Sequence, residues 1–164
     1  MPETAADAAT TGAHLREAGA DDRDFLCRVY ASTRAEELAL TDWSEEQKAE
    51  FCRMQFTAQD AHYREHYPTA QFSVIERDGV PAGRLFVDRW TKEIRIMDIA
   101  LLPEHRNVGT GTQFLRALME EARAAGKTLS IHVEKFNPAL RLYDRLGFRP
   151  REDKGVYLLM EWKG

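Results

Sequence analysis

The spacing of apolar residues changes along this chain, and each change marks a new element. In HLREAGADDRDFLCRVYASTRAEE a short strand-like stretch precedes Gly19 and Asp21, after which Phe25, Leu26, Val29 and Tyr30 recur at helical spacing. A strand, a turn and a helix are predicted. LALTDWSEEQKAEFCRMQFTAQDAHYREHYP adds a loop and a second helix, whose stripe of Phe51, Met54, Gln55 and Ala58 runs on until Pro68 stops it. Ser44 and Gln47, three residues apart, fit a capping box in which each side chain satisfies the other's backbone N–H.

Further on the period shortens to that of strands. AQFSVIERDGVPAGRLFVDRW holds two strand-like runs joined at Asp78-Gly79, a pair suited to the positive backbone angles of a tight hairpin turn, and EIRIMDIALL after Lys92 makes a third. Then follow a helix from Thr112 to Ala125 stopped by Gly126, a strand from Thr128 to Glu134, and a helix from Pro138 to Leu146 stopped by Gly147. Strands complete the chain, GVYLLMEW being the clearest. This order predicts an α+β, three-layer α/β/α fold: a mixed sheet with helices packed on it and one β-α-β crossover near the end.

The 164 residues suffice for one domain. Residues 1–13 read as a loose polar tail and 14–164 as a single domain. The tail lacks the charged start and apolar run of a secretory signal, and no apolar segment reaches the roughly 18 residues of a membrane span, so a cytoplasmic protein without a membrane partner is expected. Cys27 and Cys52 have no close partner in sequence, which argues against a disulfide framework, a zinc site or any other metal. A formal charge of -4 gives no broad basic surface for nucleic acid.

The chemistry concentrates in LLPEHRNVGTGTQFL. A strand leading into glycines and then a helix presents bare backbone N–H groups to an anion: the first N–H groups of a helix lack internal partners, its dipole adds positive charge, and glycine admits a bulky ligand. Gly109 and Gly111 are the predicted phosphate cradle, and Arg106 adds a planar charged fork for paired hydrogen bonds. The alternative is that the glycines only make the turn. A Walker loop is excluded, because no lysine lies here and the first glycine is missing. The dinucleotide pattern GxGxxG has Phe114 in place of its third glycine, although Glu134 is placed for a ribose.

RxxGxG after an apolar strand ending in proline, then a helix, a strand and NPALRLYDRLGF, resembles the GNAT superfamily of acetyl-CoA-dependent N-acetyltransferases. The resemblance is strongest from Ile94 to Phe148. It implies a mostly antiparallel central sheet and acetyl-CoA as cosubstrate. Ile99 and Leu101 match the positions that pair with the coenzyme arm, and an N–H near Ile99 or Ala100 would face the thioester oxygen. Arg106, Asn107, Val108, Gly109, Thr110, Gly111 and Thr112 form the matching phosphate loop, with Asn107 where glycine is common.

On the same resemblance Tyr143 is the acid beside the departing sulfur, since a phenol's reference pKa of about 10 lies near that of a thiol. It also sits on one helical face with Ala139, Leu142 and Leu146, as a core aromatic would. Asn137 ahead of Pro138 is an expected helix cap, and the family has an asparagine here that touches the coenzyme. His132 occupies a position that carries a carboxylate base in some relatives; histidine suits the same work, with Asp98 and Glu134 as substitutes and a structural histidine as the other possibility. HVE also fits the HxE of zinc deaminases, but their PCxxC is missing.

The acceptor is expected over the first half of the domain, where Arg34, Glu36, Glu37, Trp43, His62, Tyr63 and His66 are candidates to line its site. The function implied is acetyl transfer to a primary amine of a small molecule, peptide or protein, by a monomer or homodimer. A non-catalytic acyl-CoA-binding module is the alternative.

Overall fold

The computed structural model describes residues 12–164; the greater part of the predicted tail, residues 1–11, lies outside the described residues. In chain order these contain β1 (Ala13–Glu17), α1 (Arg23–Leu38), α2 (Glu45–His66), β2 (Gln71–Arg77), β3 (Val80–Arg89), β4 (Glu93–Leu101), α3 (Thr110–Ala125), β5 (Thr128–Glu134), α4 (Leu140–Leu146), β6 (Arg149–Asp153) and β7 (Tyr157–Trp162). The strands form one sheet in the order β1-β2-β3-β4-β5-β7-β6. Neighbours run antiparallel except β4 and β5, which are parallel and linked by α3. That is the single crossover the sequence predicts.

Local chemistry sets the boundaries. Ser44 Oγ accepts from the Gln47 N–H at 3.1 Å, and Gln47 Oε1 accepts from the Ser44 N–H at 2.8 Å, so the capping box opens α2. Asp78 and Gly79, at φ 53° and 79°, close the β2–β3 hairpin. Two helices begin away from their predicted first residues. α3 starts at Thr110 because Gly109 takes the cap position, its carbonyl receiving the Gln113 N–H at 2.9 Å. α4 starts at Leu140 because Asn137 Oδ1, accepting from the Ala139 N–H at 2.8 Å, first holds the chain in a turn.

Two apolar clusters flank the sheet. On one face α3 and α4 bury Phe114, Leu115, Leu118 and Tyr143 against Ile94, Ile96, Leu129, Ile131 and Val133. On the other, α1 and α2 bury Leu26, Tyr30 and Phe56 against Val74 and Phe86. Each such large side chain, fully buried, contributes about 1.5–3 kcal/mol. Because strand side chains alternate, a core containing Leu129, Ile131 and Val133 sends Ser130, His132 and Glu134 to the α1–α2 face.

The sheet parts between β4 and β5. The β4–β5 ladder runs from Glu93 opposite Thr128 to Ile96 opposite Ile131 and stops there. On its other side β4 carries a bulge: Ile96 lies opposite Val87 and Asp98 opposite Phe86, leaving Met97 as an extra residue. An extra residue bends its strand, here just where β4 and β5 part. Among the described residues no helix is long and apolar enough to cross a membrane.

Candidate active site

Beyond Ile96, β4 offers one backbone edge to the gap. The Leu102 N–H donates to the Ala82 carbonyl at 2.9 Å and so faces β3. By the alternation of an antiparallel ladder Ala100 faces β3 too, while Ile99 and Leu101 turn their backbone groups towards β5. Of the two donors expected near the thioester, Ile99 is therefore the one that faces the gap.

At the end of β4 the chain makes a 3-10 turn, Pro103–His105, and then the loop of Arg106, Asn107, Val108 and Gly109. Asn107 and Gly109 have φ of 63° and 87°. No side chain caps α3 at Gly109, and the N–H groups of Thr110, Gly111 and Thr112 in its first turn have no partner within the helix. A Cβ on Gly111 would meet only Leu101 Cδ1, at 3.8 Å, so the chain's own packing does not require glycine there. Thr110 is buried, with its Oγ1 unpartnered. Arg106 bends back across this loop: its Nε donates to the Leu101 carbonyl at 2.9 Å, and its Nη2 lies 3.4 Å from Ser32 Oγ on α1.

Tyr143 approaches from the α3–α4 layer. It is 5% exposed and packs edge-on to Phe148, ring centroids 5.5 Å apart. It is thus a core residue, as its helical stripe allows, yet its hydroxyl has no hydrogen-bond partner among the described residues. Burial, and then the charge of Asp98, push the phenol well above its ordinary pKa. The group stays protonated at neutral pH.

His132, Glu134 and Asp98 lie on the opposite face, in a cleft of about 780 Å3 bounded by α1, α2 and the strands. Arg95 Nη1 stands 3.5 Å from His132 Nδ1, and the guanidinium is fixed by its Nε donating to Ser130 Oγ at 2.7 Å and its Nη2 to Glu93 Oε2 at 3.0 Å. Burial, followed by the charges of Arg95 and Lys154, lowers the His132 pKa. Asn137 lines the same cleft.

Known proteins share this fold. The profile of the Acetyltransferase (GNAT) family matches residues 33–148. The chain belongs to this family. A Bacillus subtilis protein, provisionally named the alanine N-acetyltransferase of ribosomal protein bS18, is 33% identical over 95 residues. That match covers 56% of this chain and 63% of the relative, less than two thirds of its length. Among solved structures, the PaiA N-acetyltransferase of Thermoplasma acidophilum in complex with coenzyme A has a TM-score of 0.70 at 17% identity, covering 93% of this chain and 99% of that one. An acetyltransferase from Thermus thermophilus has a TM-score of 0.67 at 18% identity, covering 93% and 97%. At these identities the likeness is one of fold: the mostly antiparallel three-layer GNAT architecture.

Within this GNAT domain only some of the expected acceptor-side residues reach the cleft. Arg34 and Tyr63 line it. Glu37 pairs with Arg34 at 2.8 Å, and Glu36 is not part of the lining. Trp43 packs on Phe51, centroids 5.3 Å apart, and His62 stacks on His66 at 4.3 Å; none of Trp43, His62 and His66 is part of the lining. Sequence reasoning missed Arg84, which is 1% exposed and lies in the cleft wall. Its Nε binds Asp98 and its Nη2 donates to Gln59 Oε1 at 3.0 Å. An arginine inside the apolar run of VPAGRLFV is the one signal that marks it.

Proposed function

We propose that this GNAT protein is an acetyl-CoA-dependent N-acetyltransferase acting on a primary amine of a small molecule, peptide or protein by direct attack in a ternary complex. The observation that carries the reading is the gap between β4 and β5, with a donor-rich helix terminus at its end. The name of the Bacillus relative supports an acceptor carried by an amino-acid residue.

The chain's groups fit the cosubstrate. Arg106 and the N–H groups of the loop from Asn107 to Thr112 hold the diphosphate, and Thr110 Oγ1 is a further hydroxyl available to it. The edges of Ile99 and Leu101 align the extended arm as an added strand would, and the Asn137 amide contacts it. Acetyl-CoA supplies the activated acyl carbon. The Ile99 N–H faces the oxygen on which negative charge develops; fixed donors of this kind contribute about 2.7–4 kcal/mol in other acyl transfers. Tyr143 passes its proton to the departing sulfur. His132, kept neutral by its surroundings, takes the proton from the incoming ammonium, with Glu134 beside it and Asp98 tied to Arg84.

Calorimetry with acetyl-CoA and a thiol-release assay across a panel of amines test this together. Binding with release is expected. Binding without release from any amine assigns the chain to the non-catalytic acyl-CoA-binding class, and no binding rejects both readings.

A further inference from the structure

We infer that the acceptor is an α-aminoacyl compound, an amine with a carbonyl group on the adjacent carbon, and that Asp98 and Arg84 read these two groups together. The inference rests on the acetyl-transfer reading above and names its acceptor class.

Arg84 contributes a cation to the cleft wall yet is almost wholly enclosed. Its Nε and Nη2 are taken by Asp98 and Gln59, and its Nη1 is buried with no partner. The rings of Tyr30 and Phe86, whose centroids lie 5.8 Å and 4.9 Å from the guanidinium carbon, balance its charge but offer no acceptor oxygen in its plane. A guanidinium cannot shed its charge, so the unmet donor destabilises the fold until something accepts from it.

Asp98 is the complement. Arg84 takes Oδ2, while Oδ1 has no hydrogen-bond partner among the described residues, on a side chain 27% exposed that lines the cleft. An open carboxylate oxygen and an unmet donor therefore stand on two side chains already bonded to each other. The acceptor's ammonium meets Asp98 Oδ1, and its neighbouring carbonyl meets Arg84 Nη1 as the side chains around the guanidinium give way. A plain alkylamine, a polyamine or a lysine ε-amine satisfies Asp98 alone and leaves Nη1 unpaired. Sites with a buried polar group discriminate strongly against analogues lacking its partner.

The test is a thiol-release assay with the full chain and saturating acetyl-CoA, comparing L-alaninamide, L-alanine, trialanine, 2-aminobutane and spermidine. Each rate is corrected for the unprotonated fraction of its amine. The corrected kcat/KM for L-alaninamide is expected to exceed that for 2-aminobutane by about tenfold or more. In Arg84→Lys that ratio should fall towards one while acetyl-CoA still binds in calorimetry. L-alanine against trialanine tells a free amino acid from a peptide terminus. The wild-type comparison needs no folded variant. Equal corrected rates there overturn the inference and leave acetyl transfer standing, whereas no transfer to any of the amines overturns both.

Discussion

A Cβ added to Gly83 would stand 2.3 Å from the carbonyl oxygen of Ala100 on the neighbouring strand, and 2.8 Å from Leu101 Cδ2. β3 and β4 approach there more closely than any side chain on residue 83 allows, beside the residues that turn towards the gap. Gly83→Ala should lower stability by about 1–3 kcal/mol, the usual cost of overpacking, and weaken acetyl-CoA binding. Urea unfolding and calorimetry read the two effects, and a variant unchanged in both would show that this close approach positions nothing.

Gly109 separates backbone conformation from space. Its φ is 87°, yet nothing lies within 4 Å of a Cβ built on it. Gly109→Ala should therefore act through the left-handed conformation alone, costing about 1–2 kcal/mol. Thermal melts should show this loss, and acetyl-CoA titrations a weaker complex. Unaltered affinity would take the loop out of diphosphate binding.

Tyr143→Phe removes one oxygen and keeps the ring against Phe148. The melting temperature and acetyl-CoA affinity should hold while kcat falls by about 100-fold or more, in the range of acid catalysis. An unchanged kcat in steady-state kinetics would leave Tyr143 as core only.

As the proposed base, His132 should set the acidic limb of the pH-rate profile. Its pKa is lowered in the fold, by burial first and then by Arg95 and Lys154. The neutral base persists below the ordinary value of about 6.5, and kcat/KM should begin to fall only at lower pH. His132→Ala should abolish that limb, and a limb that stays put points to Glu134. Stability has the matching sign: the unfolded chain takes up this proton first, so His132 destabilises the fold as pH drops through about 6.5, and the loss levels off below its folded pKa.

What the sequence made legible was local. The capping box of Ser44 and Gln47, the Asp78-Gly79 turn and the crossover through α3 each depend on residues a few positions apart, or on a periodicity that one segment carries by itself. The start of α3 moved because a left-handed glycine caps a helix with its backbone, and a side-chain pattern does not record that. Arg84 stayed hidden because its surroundings, Asp98, Gln59, Tyr30 and Phe86, come from four elements. Ala100 reads like its neighbours Ile99 and Leu101, and only the register with β3 shows which way each backbone turns. The gap likewise follows from where a ladder ends and from a bulge at Met97, neither of which has a residue signature.

On the proposed mechanism Tyr143 and His132 act from opposite faces of the sheet, which makes the sheet a partition with a slot between β4 and β5. On that reading helices α1 and α2 furnish the acceptor chamber, and α3 and α4 the coenzyme's seat. Substitutions in the first pair can retune which amine enters while the second pair keeps its grip, so a change of substrate does not require the catalytic machinery to be rebuilt.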